Sequence, residues 1–385
     1  MRLTVLGSGR QGVAAGYDMA RFGGDVEVLM LDRDPALAKA GADRINSVLG
    51  REVASHGILD ASDAVAAVAA FRGSAVVLSA VPYFFNVALA RAAVAAGASF
   101  GDLGGNTDVV RKELELHDAA VESGVSILPD LGLAPGLGNV FAVHAMAQMD
   151  DPRDVHVRCG GLPQNPQPPL DYMLVFAVEG LTNEYFGKAV YLRDGERVEV
   201  ETFDELERLE FPDPIGEVEA FSTSGGTSTC PWTFEGRVRN YDYKTIRYPG
   251  HHARVKVMKD LGFLELEPVR VGEVEVVPRE LFHTLAREHL AFPGERDLVL
   301  LRATCHGLRA GTRCTYEMEV VDYENEETGF TAMERMTAYP ASIACLAMAH
   351  GQVEAGARPL EVALDAAHVV EELPKRGISL TIRES

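Results

Sequence analysis

Three segments between residues 171 and 251 of this 385-residue chain concentrate groups able to hold and deprotonate a small polar ligand. Tyr243-Lys244-Thr245-Ile246-Arg247-Tyr248-Pro249-Gly250-His251 gathers a lysine, an arginine and an imidazole on a strand-like run that turns at Pro249-Gly250. Arginine offers a carboxylate two parallel donors, so Arg247 is the candidate anchor for one. Lys244, His251 and Tyr243 are the candidate proton-handling groups, because a lysine desolvated beside another cation is driven toward its neutral, basic form. The run Thr223-Ser224-Gly225-Gly226-Thr227 offers further hydroxyl and backbone donors to an anion. Asp171 and Glu179 are candidates to pair with an ammonium, and Tyr172, Phe176 and Phe221 to flank an aliphatic chain. The plainer alternatives are a solvated loop, a basic edge and an ordinary aromatic core.

The N-terminus carries a different chemistry. Gly7-Ser8-Gly9-Arg10-Gln11-Gly12 follows the apolar run Leu3 to Leu6 and opens an alanine-rich amphipathic stretch ending near Phe22. In that context the glycines allow a tight turn, close approach to a pyrophosphate at a helix N-terminus, and helix-strand packing. A second strand, Val26 to Leu31, ends in Asp32, placed to bind an adenosine ribose 2'-hydroxyl. That carboxylate would repel a 2'-phosphate, which favours NAD over NADP, although Arg33 beside it is a residue that can receive a phosphate. Asp60 joins the cofactor candidates, as do the ends of three later strands: Ala80-Val81-Pro82, Gly104-Gly105-Asn106, and Leu133 with Pro135-Gly136. Histidines 56, 117, 144, 283 and 306 show no ligand spacing, and no metal site is expected.

These groups need elements to position them. Apolar runs at Ala75 to Ala80, Ser99 to Asp102 and Val125 to Pro129 alternate with helical spacing at Asn86 to Ala96 and Val109 to Glu122, predicting a doubly wound parallel α/β sheet of Rossmann type. After about residue 140 the texture becomes period-two. Phe234 to Tyr248 and Thr312 to Tyr323 read as strands, with Leu298 to Cys305 facing the latter across a Gly307 to Gly311 turn, so a second α+β domain with a largely antiparallel sheet is expected. From Ala338 the chain reads as a helix with Pro340 near its start and Gly351 past its end.

A formal charge of -21 argues against nucleic acid as a partner. The five cysteines lack metal or disulfide spacing, and no apolar run reaches the roughly 20 residues that cross a bilayer. With a strand at the very start leaving no room for a signal peptide, a cytoplasmic protein is expected.

The blocks Asp102-Leu103-Gly104-Gly105-Asn106, Ile127 to Gly132, Glu219-Ala220-Phe221 with Thr223 to Thr229, and Tyr243 to His251 resemble, in order, those of the saccharopine dehydrogenase-like family. Within it they are most similar to the branch that oxidises L-lysine at its ε-amine, lysine 6-dehydrogenase. Saccharopine and carboxynorspermidine dehydrogenases, which act on secondary amines, are the alternative. A NAD-sensing regulatory protein without catalysis is the non-enzymatic one. The resemblance implies a discontinuous nucleotide domain, residues 1–136 with 339–385, around a substrate domain of residues 137–338. It also implies an amino-acid substrate, hydride transfer to NAD, and release of ammonia and a 6-semialdehyde that cyclises to piperideine-6-carboxylate. Neutralising a lysine ammonium at pH 7 costs roughly 4 to 5 kcal/mol, so such a site needs a base or a lowered amine pKa. Saccharopine-type substrates carry extra carboxylates and would need extra cations, with Arg237, Arg239 or Arg254 as candidates. The small-residue helix near Ala338 to Ala349 suggests a homo-oligomer.

Overall fold

The computed structural model describes residues 1–385. Six strands in the first third, β1 (Arg2–Leu6), β2 (Glu27–Asp32), β3 (Ala54–Ile58), β4 (Ser74–Ser79), β5 (Ser99–Asp102) and β6 (Ser126–Leu128), alternate with helices α1 (Arg10–Phe22), α2 (Pro35–Leu49), α3 (Ala64–Phe71), α4 (Asn86–Ala96), α5 (Thr107–Leu114) and α6 (His117–Ser123). All the strands pair in parallel, in the order β6-β5-β4-β1-β2-β3. The order reverses between β1 and β4, and in such sheets ligands bind beyond the carboxyl ends of the strands at that point. The helical spacing from Val109 to Glu122 is broken into two helices, because the ladder tightens at Glu115 and Leu116, where the Leu116 N–H bonds back to the Glu113 carbonyl.

Helix α7 (Leu137–Met146) leads into the second sheet, made of β7 (Asp151–Pro163), β8 (Lys188–Arg193), β9 (Glu196–Glu201), β10 (Glu207–Phe211), β11 (Gly216–Ser222), β12 (Asn240–Arg247), and, after a separate hairpin of β13 (Val269–Val271) and β14 (Val274–Val276), β15 (Asp297–Arg309) and β16 (Thr312–Tyr323). Every pairing in this sheet is antiparallel except that of β12 with β7. Strand β12 is shorter than the period-two run from Phe234 suggests. The chain first makes a single helical turn, α9 (Cys230–Thr233), and Arg237 and Val238 fold back on the Phe234 carbonyl. Strand β15 likewise runs through Gly307 to Arg309. The turn is two residues, Ala310 and Gly311, both at positive φ, the backbone twist a two-residue hairpin requires.

Helices α8 (Val178–Glu184), α10 (His251–Asp260) and α11 (Pro278–His289) flank the second sheet, and α12 (Ala332–Ala349) returns the chain to the first. Helix α12 begins at a Thr331/Glu334 capping box, so Pro340 lies inside it rather than near its start. One intrahelical bond is lost there. The Ala338 to Ala349 stretch is core, not a free surface, and gives self-association no support: Cys345 lies near Gly101 of β5, and Leu346 packs on Gly23. Beyond it, β17 (Gly356–Ala357) extends the parallel sheet beside β6. The last strand, β18 (Thr381–Glu384), instead pairs with β16 of the second sheet, unlike the expected return of all of residues 339–385 to the nucleotide half.

Candidate active site

The turn after β1 shows the cradle its glycines suggest. Gly7 is at φ 103°, with its missing Cβ facing the Ala80 carbonyl at 2.6 Å and Val81 at 3.1 Å, and a Cβ on Gly12 would fall 1.8 Å from the Gly7 oxygen. No protein atom lies within 4 Å of a Cβ built on Gly9, which caps α1 without a side-chain bond. The space beside Gly9 at the start of the helix is therefore open, as the close approach of a pyrophosphate would need. Asp32 is fixed at the end of β2 by the Ser8 N–H at 2.8 Å and the Asp34 N–H at 3.0 Å. Arg33 and Asp60 are exposed nearby, Asp60 accepting from Ser62. These residues fit a dinucleotide. Two of the candidates are otherwise engaged: Arg10 pairs with Glu334 at 2.9 Å, and Asn106 caps α5. Pro82 is exposed ahead of a single helical turn, and Gly136 opens α7.

Between the two sheets lies a cleft of about 310 Å³. The strand ends of the first sheet supply Gly104, Gly105, Leu133 and Pro135, and Gln11 reaches in from α1. Strand β12 supplies the opposite wall, and alternation along it decides which side chains take part. Tyr243, Thr245 and Arg247 face the cleft, with Cys159 of β7 beside Thr245. Lys244, one residue out of phase, projects to the other face, toward Glu207 at 3.4 Å and Glu205 at 3.8 Å. It does not reach the cleft, and the expected neighbourhood of Lys244 and Arg247 does not form.

Arg247 is 2% exposed and cross-braced. Its Nε donates to the Tyr185 hydroxyl at 2.8 Å, its guanidinium lies 4.7 Å over the Tyr172 ring, and one terminal nitrogen sits 3.7 Å from Glu184. Tyr185 lies in turn 2.9 Å from His251 Nε2, and His251 Nδ1 lies 3.0 Å from the Leu170 carbonyl. A carbonyl only accepts, so Nδ1 carries the proton and Nε2 accepts from Tyr185. Burial, reinforced by the Arg247 charge, holds His251 down at about 3, which keeps it neutral. The imidazole is thus a buttress behind Arg247 rather than a group in the cleft.

Glu184, at the end of α8, does line the cleft and was not among the sequence candidates. Burial pushes it up to about 7 against the pull of Arg247. Helical spacing was the available signal, since Gly180 and Glu184 lie four apart and both face the cleft. Glu179 points away to an exposed pairing with Arg287, and Asp171 pairs with Arg254 on the surface.

The hydroxyl-glycine loop spends its donors internally. Thr223 and Thr245 hydroxyls lie 2.6 Å apart, Ser224 donates to the Asn183 carbonyl, and Thr227 donates to Val190. Gly225 turns the loop at φ 86°, and Gly226 lets it lie on the Tyr243 ring, where a Cβ would come within 2.2 Å. Phe176 lines the cleft, whereas Tyr172 lies beneath Arg247 and Phe221 stacks on Phe203 in a core. Of the reserve cations, Arg239 pairs with Asp154, Arg254 with Asp171, and Arg237 lies over Phe234, all outside the cleft.

Behind the Gly104 turn, Asp102, Glu113 and Asp130 form a buried carboxyl trio, also unforeseen. Asp102 accepts from the Gly104 N–H at 2.6 Å, a Cβ on Gly104 would sit 2.2 Å from Asp130 Oδ1, and Ser228 of the second domain donates to Asp130. Burial raises all three, and mutual repulsion adds to it for Glu113 and Asp130. A proton on Glu113 gives the otherwise unpaired oxygens of the trio a donor.

Residues 3–128 match the family model for the saccharopine dehydrogenase NADP binding domain, and residues 132–378 that for the saccharopine dehydrogenase C-terminal domain. The NADP-dependent, L-glutamate-forming saccharopine dehydrogenase of Pyricularia oryzae is 25% identical over 224 residues, covering 54% of this chain and 48% of that protein. Its Schizosaccharomyces pombe counterpart is 23% identical over 223 residues, with 54% and 47% covered. The chain thus spans about half the length of the curated relatives it matches. Among solved structures, the L-Glu-forming saccharopine dehydrogenase of Saccharomyces cerevisiae superposes with a TM-score of 0.78 at 20% identity, covering 100% of this chain and 99% of that one. A homospermidine synthase from Legionella pneumophila in complex with NAD gives 0.68 at 12% identity, with 100% and 91% covered. These likenesses establish the two-domain α/β architecture.

Proposed function

The chain belongs to the saccharopine dehydrogenase family, and from that premise we propose that it is a NAD-dependent oxidoreductase deaminating the ε-amine of L-lysine, with release of ammonia and a semialdehyde that cyclises. One observation carries this reading. The cleft presents one cation, Arg247, and one carboxyl, Glu184, 3.7 Å apart, a complement to the head of a single α-amino acid. Arg247 takes the α-carboxylate and Glu184 the α-ammonium. Phe176 and Tyr243 flank the methylene chain, and the reacting amine extends toward Gly104, Leu133 and Pro135.

The glycines of the first turn would hold the pyrophosphate and Asp32 the adenosine ribose, whose 2'-phosphorylated form its carboxylate disfavours. Bound there, the nicotinamide supplies the hydride acceptor. The substrate loses a hydride from its ε-carbon and protons from nitrogen, after which water adds to the imine carbon and ammonia leaves. Glu184 is engaged with the α-ammonium, the His251 imidazole lies behind Arg247, and burial raises the Tyr243 hydroxyl that faces the cleft, so the reacting ammonium gives its first proton to solvent. Turnover should therefore climb with pH toward the amine's own value of about 10.4.

A secondary-amine substrate is the second reading, favoured by the names of the relatives. It requires further cations, and Arg237, Arg239 and Arg254 lie away from the cleft. The test is NADH absorbance with L-lysine, L-ornithine, saccharopine and carboxynorspermidine in parallel, each with NAD and NADP. Reduction of NAD with lysine is expected, and reduction only with saccharopine or carboxynorspermidine would replace this reading with the second.

A further inference from the structure

Gln11, the second residue of α1, follows Gly9 within the same turn of helix and lines the cleft beside Gly104, Leu133, Met333 and Thr337. Its amide is fixed at one end only. The nitrogen lies 3.3 Å from the Met333 carbonyl, and a carbonyl only accepts, so it is the nitrogen and not the oxygen that faces it. That acceptor is itself held in place, because Ala332 and Met333, in the first turn of α12, donate their N–H groups to Asp297 at 2.8 and 2.9 Å. The other end of the amide, Oε1, is buried and accepts from nothing in the protein. None of the donors that share the cleft, Thr245, Thr337 and Arg247 among them, reaches it. A carbonyl oxygen kept from water without a donor is costly, and a buried acceptor left open on the wall of a binding cleft is explained by a ligand that supplies the donor.

We propose that Gln11 Oε1 accepts from the carboxamide N–H of the nicotinamide, and that Gln11 is the residue that sets how the ring is turned in the cleft. Asp32, held by the Ser8 N–H at the end of β2, places the adenosine on the side of the glycine turn away from the cleft. The half of the dinucleotide that extends past Gly9 into the cleft is then the nicotinamide half, and the carboxamide is the N–H donor that half carries. A neutral acceptor suits this place. A carboxylate there would favour the oxidised, cationic ring over the reduced one and an ammonium the reverse, whereas an amide holds both redox forms through the same bond. Turning the ring over about its bond to the ribose carries the carboxamide to the opposite side, so an acceptor fixed on one side also selects the ring face that meets the substrate. The inference rests on the dinucleotide assignment and is independent of which amine is oxidised.

Titration calorimetry of the full chain without substrate compares NAD with its acetylpyridine analogue, in which a methyl group replaces the carboxamide nitrogen and the carbonyl stays. The wild type is expected to bind NAD about 10-fold more tightly. Gln11→Met keeps the length of the side chain and removes the acceptor, so it should erase that preference while binding ADP-ribose, which lacks the nicotinamide, as the wild type does. Equal wild-type affinities for the two dinucleotides overturn the inference whatever the variant does. A Gln11→Met protein that binds ADP-ribose normally and still prefers NAD overturns it as well, and equal weakening of both dinucleotides would assign Oε1 to a ribose hydroxyl instead. A wild type that does not bind ADP-ribose at all would remove the dinucleotide assignment itself, a result distinct from turnover on an amine other than lysine.

Discussion

Arg247 and Lys244 are three residues apart, and on a strand an odd spacing puts two side chains on opposite faces. Lys244 therefore belongs to an ionic cluster with Glu205 and Glu207 and does not line the cleft. Lys244→Met should leave kcat/KM within about threefold of wild type, as expected for a group that contributes nothing to the transition state. Glu184 makes the contrasting case. Glu184→Gln should raise the KM for lysine about 10- to 100-fold, the value of one charge-assisted contact, while 6-aminohexanoate, which lacks the α-ammonium, loses little. On the proposed reading the carboxylate is the form that binds lysine, and its proton leaves near pH 7. In the wild type, KM for lysine should therefore fall as pH rises through about 7, and that fall should vanish in Glu184→Gln. A KM that is flat across that range in the wild type would count against the assignment.

At the scale of elements, the glycine turn between β1 and α1 was legible in the sequence because its determinants are local: a few glycines, a strand and a carboxylate one strand later. The carboxyl trio was not. Asp102 ends a strand, Glu113 sits on a helix and Asp130 follows the next strand, so only the fold brings them together. Because each is raised, the native state holds its protons more tightly than the unfolded chain does. The stability this confers is whole below the ordinary carboxylate range and is lost as pH climbs through the raised values. Wild-type Tm should drop by at least about 3 °C between about pH 6 and pH 9. Asp130→Asn keeps an acceptor for Ser228 and should flatten that decline, which differential scanning fluorimetry across the range would show. Period-two patterning predicted the strands of the second sheet well where they run unbroken, as in β16, and failed over Phe234 to Arg239, where the chain folds back on the Phe234 carbonyl before β12 begins.

Across the whole molecule, the two sheets are joined by bonds no local pattern announces. Ser228 reaches Asp130, Asn183 donates to the Gly105 carbonyl at 2.7 Å, and Thr229 bonds Glu361 at 2.8 Å. Ser228 and Asn183 couple the second domain to the Asp130 and Gly105 turns of the first, and Thr229 bonds a segment that follows β17 of the first sheet, so they act as a latch across the cleft. Thr229→Val removes a donor from buried Glu361 and should cost about 1 to 3 kcal/mol. Faster amide exchange in residues 223–233, with exchange in β1 and β4 unchanged, would place the loss at the latch. Uniformly faster exchange in both sheets would argue against a separable latch. The helix from Ala332 to Ala349 has a further consequence, for synthesis on the ribosome. Six of the seven strands in the first sheet are complete by Leu128, yet the helix that covers β5 near Gly101 emerges some 220 residues later. At roughly 5 to 20 residues per second, that apolar surface stays bare for about 10 to 40 seconds of translation, a window in which a chaperone has something to hold.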